Sequence, residues 1–271
     1  MKLREKRILV VGVSRGIGKE LALQLGELDN RLVLFSRNVD ELCKDTRFQK
    51  LKHPPLLCRG DIRNTNDIES LVKSISDADA SGIDGVIICT GVSRPDYIDN
   101  PDPERAIDNI RVNLEGPLRV IYMLLPLILR RRGSFIAAFT SMAGDRGMPI
   151  GHSYSASKAG LDRLLDSLRI DLYDRNVSVY TIVPGYVKTP MSDQNHFPMP
   201  GIWPVEKAGR HIIKLMEKER LIIRFPWYHD LGMKILGLLP NFVYWRLMNY
   251  SKKDIKIVPQ ADDKFQWKNE Y

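Results

Sequence analysis

The sequence predicts an α/β fold, a doubly wound parallel sheet of about seven strands flanked by helices, with a C-terminal helical extension. Three observations carry this prediction. Short apolar, β-branched runs alternate with amphipathic stretches along most of the chain; the first of these runs ends in a glycine-rich turn; and the last segment turns rich in leucine and aromatics. With 271 residues and 44% hydrophobic content the chain can bury a large core, and length alone allows one or two domains. The alternation decides for one, since no internal repeat, low-complexity segment or Ser/Gly linker interrupts it. The expected division is a single domain over 1–226 and an apolar, aromatic extension over 227–271.

Each element has its own warrant. Arg7-Ile8-Leu9-Val10-Val11 opens a strand expected at 7–12, and Lys19 to Leu28 repeats apolar residues at helical spacing within a helix near 16–28. Gly12-Val13-Ser14-Arg15-Gly16-Ile17-Gly18 joins them. Its glycines allow tight turning and close backbone approach, while the helix N-terminus offers unpaired N–H groups and a positive dipole to a pyrophosphate. The spacing is Gly-x-x-x-Gly-x-Gly, so the commoner Gly-x-Gly-x-x-Gly fingerprint does not fit. Further strands are expected at 31–36, 55–60, 84–90, 133–140, 177–183 and 220–225, with helices near 64–78, 102–131, 152–175 and 204–218.

The chemistry concentrates on two of these elements. Tyr154 and Lys158 stand four residues apart, so a helix places them on one face about a turn apart, and an ammonium there makes a phenol easier to deprotonate. Ser141, thirteen residues before Tyr154, arrives from a strand end where its hydroxyl can hold a carbonyl oxygen. Within Val112-Asn113-Leu114-Glu115-Gly116-Pro117, the proline has no N–H for the Asn113 carbonyl, which is left without its helical partner.

With the Gly12–Gly18 turn, Asp61, Asn113, Ser141, Tyr154, Lys158 and the run Pro184-Gly185-Tyr186-Val187-Lys188-Thr189 in order, the chain resembles the short-chain dehydrogenase/reductase family in its single-domain form, over about residues 6 to 225. The resemblance implies a Rossmann-type fold and hydride transfer between a nicotinamide and a ketone or secondary alcohol. It implies a catalytic set of Asn113, Ser141, Tyr154 and Lys158, in which Ser141 and Tyr154 hold the ketone oxygen, Tyr154 protonates it, Lys158 lowers the phenol pKa and holds the nicotinamide ribose, and Asn113 binds the water that continues the proton relay. No metal is expected. The cofactor-binding set is Gly12, Ser14, Arg15, Gly16, Ile17, Gly18, Ser36, Arg37, Asp61, Ile62, Gly91, Tyr154, Lys158, Pro184, Gly185, Val187 and Thr189. Asp61 is matched to the adenine contact, Gly91 to the adenine ribose, and Thr189 to the nicotinamide carboxamide. Two departures from the family pattern stand out. Ile88-Cys89-Thr90-Gly91 replaces the usual Asn-Asn-Ala-Gly, and Val11 stands where a threonine is usual, so side-chain hydrogen bonds that brace the sheet are expected to be missing.

The cofactor is expected to be NADP, as NADPH. After Ser36 the chain carries Arg37 where an NAD-binding member would carry an acid, and Arg37 with Arg15 suits a ribose 2′-phosphate. By the same resemblance, the helices starting near 102 and 152 should pair in a homodimer or homotetramer. Ile121, Leu124, Leu125, Leu161, Leu164 and Leu168 are read as the apolar surplus for that contact.

Composition sets the remaining bounds. The net charge is +8, yet the basic residues are scattered and no nucleic-acid module is evident, so a nucleic-acid partner is not expected. An anionic cofactor, an acidic carrier protein or an anionic membrane surface fits the charge as well or better. Arg130-Arg131-Arg132 reads as the cationic end of an apolar helix. Cys43, Cys58 and Cys89 lack metal-like spacing and read as reduced thiols of a cytoplasmic protein; the basic start meets Gly12 and Arg15 too soon for a signal peptide. The substrate is expected to be a small carbonyl or alcohol compound, lipophilic if the lid Met191–Pro204, with His196, Phe197, Met199 and Trp203, and the loop bearing Met142, Arg146 and Met148 line its pocket. Reduction of a β-ketoacyl group on a carrier protein is the alternative, and a nucleotide-binding regulator without turnover is a third reading. The segment from Trp227 to Met248, cut by Pro240, is too short in either half to span a bilayer. It either packs over the pocket or a neighbouring subunit, or lies peripherally on a membrane with Trp227 and Trp245 at headgroup level and Arg246, Lys252 and Lys253 toward anionic lipid.

Overall fold

The structure is a computed structural model that describes residues 1–194 and 198–251. His196, Phe197, Lys252 and Lys253 therefore lie outside the described residues. Seven parallel strands, β1 (Arg7–Val11), β2 (Arg31–Ser36), β3 (Leu56–Arg59), β4 (Gly85–Ile88), β5 (Phe135–Phe139), β6 (Ser178–Pro184) and β7 (Ile222–Phe225), form one sheet in the order β3-β2-β1-β4-β5-β6-β7. The order reverses between β1 and β4, and a doubly wound sheet opens a crevice at the carboxyl ends of the strands there. The fold is the one expected.

Alternation along the strands builds two cores, one on each face. Leu9, Val11, Val33, Val86, Ile88 and Ile136 face one cluster, and Ile8, Val10, Leu32, Leu34, Ile87 and Ala137 face the other. The first is covered by α4 (Thr65–Ala78), α6 (Gly116–Ile128) and α7 (His152–Asp171), the second by α1 (Gly16–Gly26) and α8 (Val205–Glu217). Two short helices, α2 (Asp40–Lys44) and α3 (Thr46–Gln49), fill the link from β2 to β3.

The single helix expected over 102–131 is three pieces: α5 (Pro103–Ile110), a π turn over Arg111–Glu115, and α6. Pro117 supplies the reason. It cannot donate to the Asn113 carbonyl, and the backbone widens so that the Gly116 N–H reaches the Arg111 oxygen five residues back. The residues read as a subunit-contact surplus need correction. Ile121, Leu124, Leu161 and Leu168 are buried in the chain's own core, and Leu125 and Leu164 pack against it. What α5, α6 and α7 leave outside is Ile107, Leu118 and Tyr122, with Leu129, Ile170 and Tyr173 near the helix ends. Arg131 does not simply face solvent at a helix end either: it pairs with Asp79 at 3.0 Å and Asp84 at 3.4 Å, tying α6 to the entry of β4.

Beyond β7 the extension forms two helices, α9 (Trp227–Leu238) and α10 (Asn241–Ser251), turned at Pro240. Their inner side is pinned by polar contacts. Arg146 donates to the Leu236 and Leu239 carbonyls at 3.0 Å each and stacks 3.8 Å from the centre of the Tyr244 ring, while the Tyr244 hydroxyl donates to the Gly147 carbonyl at 2.8 Å. Among the described residues, no helix is long and apolar enough to cross a membrane.

Candidate active site

The carboxyl ends of β1, β4, β5 and β6 bring the predicted residues to one edge of the sheet. After β1 the chain turns at Gly12, with φ +86°, a conformation that side chains rarely tolerate. A Cβ at Gly12 would also stand 2.8 Å from the Thr90 main-chain nitrogen, and one at Gly18 would stand 2.2 Å from the Gly12 oxygen. The glycines thus let α1 begin directly over the sheet, with Ser14, Arg15 and Ile17 on the turn and Arg15 at the N-cap. Gly16 lies beside Thr189, whose Cγ2 is 3.3 Å from where a Cβ would stand, so the turn after β6 closes on the turn after β1.

Tyr154 and Lys158 share the first turns of α7, with Ser141 at the end of β5 beside them. The Ser141 hydroxyl oxygen accepts the Ala143 N–H at 3.2 Å, leaving its own hydrogen for Tyr154 or for a substrate oxygen. Burial pushes the Tyr154 phenol above its ordinary pKa of 10.0, and a hydrogen bond with Ser141 pulls the other way. Any lowering by Lys158 is outweighed by burial in the cofactor-free chain. Burial brings the lysine itself from 10.5 down to about 8, its Nζ donates to the Phe139 carbonyl at 2.8 Å, and it lies 5.9 Å from the centre of the Tyr154 ring. A phenol held neutral is the form that donates a proton.

Asn113 is fully buried and braces this ensemble through its side chain. Its Oδ1 accepts the Val92 N–H and its Nδ2 donates to the Val92 carbonyl, both at 2.8 Å, with a further bond to the Ser157 hydroxyl at 3.1 Å. A Cβ at Gly91 would stand 3.3 Å from Lys158 Nζ and 3.6 Å from Asn113 Oδ1, so β4, the π turn and α7 meet at Gly91.

At the other end of the crevice Ser36 is buried and Arg37 is half-buried. Arg37 lies 3.9 Å from Asp61, whose carboxylate is held by Arg63 at 2.6 Å. Burial pushes the Asp61 carboxyl up, but the Arg63 hydrogen bonds and the charge of Arg37 outweigh it and leave it below the usual range. Asp108 joins Arg63 at 2.7 Å and also pairs with Arg94. Three guanidinium groups thus surround two carboxylates. Arg63, Arg94 and Asp108 escaped the sequence reading because β3, β4 and α5 supply them separately; the visible trace was Asp61-x-Arg63, where the carboxylate accepts the Arg63 N–H at 2.9 Å. Ile62 is buried with its side chain against Gly116, so only its main chain can face a bound molecule.

After β6, the Gly185 N–H donates to the Phe225 carbonyl at 2.7 Å, and Val187 is buried in a bridge with Trp203. Pro184 ends the strand in register with Phe225, and Thr189 Oγ1 accepts the Ser192 N–H at 3.3 Å. His229 of α9, unassigned in the sequence, packs on Gly185; its Nδ1 accepts the Tyr186 N–H at 3.4 Å, so Nε2 carries the proton toward the Pro200 carbonyl at 2.8 Å. Trp203, read as part of the lid, is anchored to the body of the chain. It packs on His211 and Phe225 at 5.2 and 5.5 Å and donates to the Tyr228 hydroxyl at 3.0 Å.

The residues fit a dinucleotide phosphate. The positive-φ glycine turn provides a close approach, Gly91 leaves space beside Lys158, excess positive charge lies around Arg37, and the Thr90 hydroxyl is buried with no hydrogen-bond partner among the described residues.

The short chain dehydrogenase family matches residues 6–197, and the chain belongs to that family. An uncharacterized oxidoreductase of Myxococcus xanthus is 29% identical over 236 residues, covering 86% of this chain and 92% of its own. A 3-oxoacyl-[acyl-carrier-protein] reductase, FabG, of Aggregatibacter actinomycetemcomitans is 30% identical over 220 residues, 75% of this chain and 84% of its own. Among solved structures, a short chain dehydrogenase from Burkholderia cenocepacia in complex with NADP superposes with a TM-score of 0.79 at 23% identity, over 92% of this chain and 99% of that one.

Proposed function

We propose that the protein is an NADPH-dependent carbonyl reductase acting on a ketone, or on the corresponding secondary alcohol in reverse, with a lipophilic compound as substrate. The observation that carries this reading is the convergence of Ser141, Tyr154 and Lys158 with Gly91 and Asn113 at the carboxyl ends of β4 and β5. Gly12, Ser14, Arg15, Gly16, Ile17 and Gly18 would hold the pyrophosphate, Arg37 with Arg15 the 2′-phosphate, Asp61 and the Ile62 main chain the adenine, and Pro184, Gly185, Val187 and Thr189 the nicotinamide end. When bound, NADPH supplies the hydride. Ser141 orients the ketone oxygen, and Tyr154, kept neutral by burial, donates its proton as negative charge develops there. Lys158 presents an ammonium to the ribose and to the phenolate left after transfer, and Asn113 keeps the loop after β4 against α7. The NADP complex of the Burkholderia protein supports the cofactor choice.

A second reading is favoured by the FabG relative, namely reduction of a β-ketoacyl group on an acidic carrier protein, which the charge of +8 would attract. NADPH oxidation measured against a panel of free ketones, from sugars to sterols and fatty-acyl ketones, and against carrier-bound β-ketoacyl substrates tests both. Faster turnover of free lipophilic ketones supports the first reading and faster turnover of the carrier-bound form the second. No NADPH oxidation with any carbonyl would sink both in favour of a nucleotide-binding regulator.

A further inference from the structure

The two C-terminal helices have opposite characters on their two sides. Inward, α9 and α10 are tied to the loops that border the candidate site. Arg146 holds the end of α9, Tyr244 holds Gly147, His229 packs on Gly185, and the Tyr228 hydroxyl donates to the Gly201 carbonyl at 2.8 Å. Outward, Trp227, Leu231, Ile235 and Leu238 fall within one stripe of α9, and they are 72, 50, 54 and 86% exposed. Phe242 and Trp245 of α10 extend the same character at 71 and 64%. Apolar surface this dense exceeds what a soluble domain ordinarily leaves in water, and a functional contact is the usual reason for it.

Charge decides among the occupants. Between 227 and 251 the sequence has one acid, Asp230, and two strong bases, Lys234 and Arg246. Asp230 is engaged by Arg224 and by Lys234 at 2.8 Å, whereas Lys234 remains 65% exposed within the apolar stripe. The outward face therefore presents aromatics, leucines, Arg246 and the exposed, ion-paired Lys234, while the Asp230 carboxylate is largely covered by its two partners. Exposed tryptophans beside lysine and arginine match the boundary between acyl chains and anionic headgroups. A second copy meeting the same stripe would bring no free carboxylate for Arg246, which an anionic headgroup supplies. Leu238, at the turn between the helices, protrudes as a fluid layer accommodates and a flat protein surface does not.

We propose that the outward face of α9 and α10 docks on an anionic lipid surface, beside the loops at the candidate site, so that a lipophilic ketone passes to Tyr154 from the membrane. The docking claim stands on the helices themselves; the ketone clause rests on the proposed function. Neither helix is long enough to cross a bilayer, so the pair lies in the interface.

Co-sedimentation of the full-length protein with vesicles of phosphatidylcholine, with and without phosphatidylglycerol, tests docking without substrate or cofactor, so loss of the reductase reading would not affect it. The expected result is binding to the anionic vesicles, weakened by salt and accompanied by a blue shift of tryptophan fluorescence. It should be lost in the triple variant Leu231→Glu, Leu238→Glu, Phe242→Glu, and reduced for anionic vesicles alone in Lys234→Gln, Arg246→Gln. The substituted side chains are exposed, and an unchanged thermal midpoint confirms that the variants fold. No sedimentation of folded full-length protein overturns the proposal, as does vesicle binding that the triple variant retains. A dimer that the triple variant converts to monomer, with no vesicle binding by the parent, would assign the face to a second copy. Apolar-dye binding by the parent no greater than by the triple variant, again without vesicle binding, would assign it to the chain's own residues 252–271.

Discussion

Tyr154 is the residue whose chemistry is easiest to isolate, because phenylalanine keeps its volume and removes only the proton it would donate. Tyr154→Phe is expected to lower kcat by a factor of about 10² to 10⁴, the ordinary range for losing a general acid, while the NADPH dissociation constant stays within a few-fold. Steady-state kinetics beside fluorescence titration check both halves, and retained turnover would remove Tyr154 from the mechanism.

Lys158 makes a prediction about stability as well as rate. Its ordinary pKa of 10.5 falls to about 8 in the folded chain. Between those values the unfolded chain holds more protons than the folded one, so stability rises with pH through that window, and below pH 8 the folded state carries the full cost of burying the charge. The shift corresponds to a cost on the order of 3 kcal/mol. Lys158→Met should therefore raise the thermal midpoint of the cofactor-free protein at pH 7 by several degrees while abolishing turnover. In the unsubstituted enzyme, turnover should decline as pH rises through about 8, where the ammonium loses its proton. A variant less stable at pH 7 than the parent would contradict the assigned cost.

Arg63 offers a test that distinguishes the two cofactors. A 2′-phosphate on Arg37 would come close to Asp61, and Arg63 neutralises that carboxylate. Arg63→Gln is expected to weaken NADPH binding tenfold or more with a much smaller effect on NADH, about 1 to 2 kcal/mol of lost compensation. Adding Asp61→Asn should recover most of the loss, since it removes the repelling charge. Equal weakening of both cofactors would show that Arg63 acts on the adenine or on folding instead.

At the scale of elements, the contact between the tail and the body hangs on Arg146. It satisfies the last carbonyls of α9 and stacks on Tyr244, with a further bond to the Asn241 side chain at 2.7 Å. Charge-assisted bonds and a stacked ring of this kind are together worth on the order of 2 to 3 kcal/mol. Arg146→Ala should free α9 and α10 locally, which limited proteolysis would report as faster cleavage between 226 and 251 with little change in the unfolding of the sheet. Cleavage at the parent's rate would mean that the Tyr228 and His229 contacts hold the tail without it. The π turn belongs to this scale too. The missing hydrogen on Pro117 was visible in the sequence, but the register of the wide turn that answers it was not. Neither were α2 and α3, which are five- and four-residue helices with too few turns to show a period.

Assembly is a property of the whole molecule. Ile107, Leu118, Tyr122 and Ile170 remain exposed on the helices that the family resemblance assigns to a subunit contact. A homodimer at micromolar concentration is the expected result in light scattering, and Tyr122→Asp with Ile170→Asp should yield a folded monomer. A parent protein already monomeric would count against the contact. The leucines first read as its substance are consumed within the chain, because a helix packed on a central parallel sheet buries more than one narrow stripe.

The sequence by itself determined the sheet, its parallel sense, the glycine turn and the shared face of Tyr154 and Lys158, because these depend on local periodicity and on spacings within single elements, while Asn113 and Ser141 joined them through the resemblance to the family's motif order. Tertiary structure alone decided which charge faces which. The grouping of Arg63, Arg94 and Asp108 around Asp61 and Arg37, the placing of Arg146 under the tail and the packing of His229 on Gly185 depend on long-range approach of separate elements. The directions of the Tyr154 and Lys158 pKa shifts depend on tertiary packing for the same reason. A four-residue spacing predicts that an ammonium and a phenol are neighbours, but the larger influence on both is burial, and burial is a property of everything packed around them.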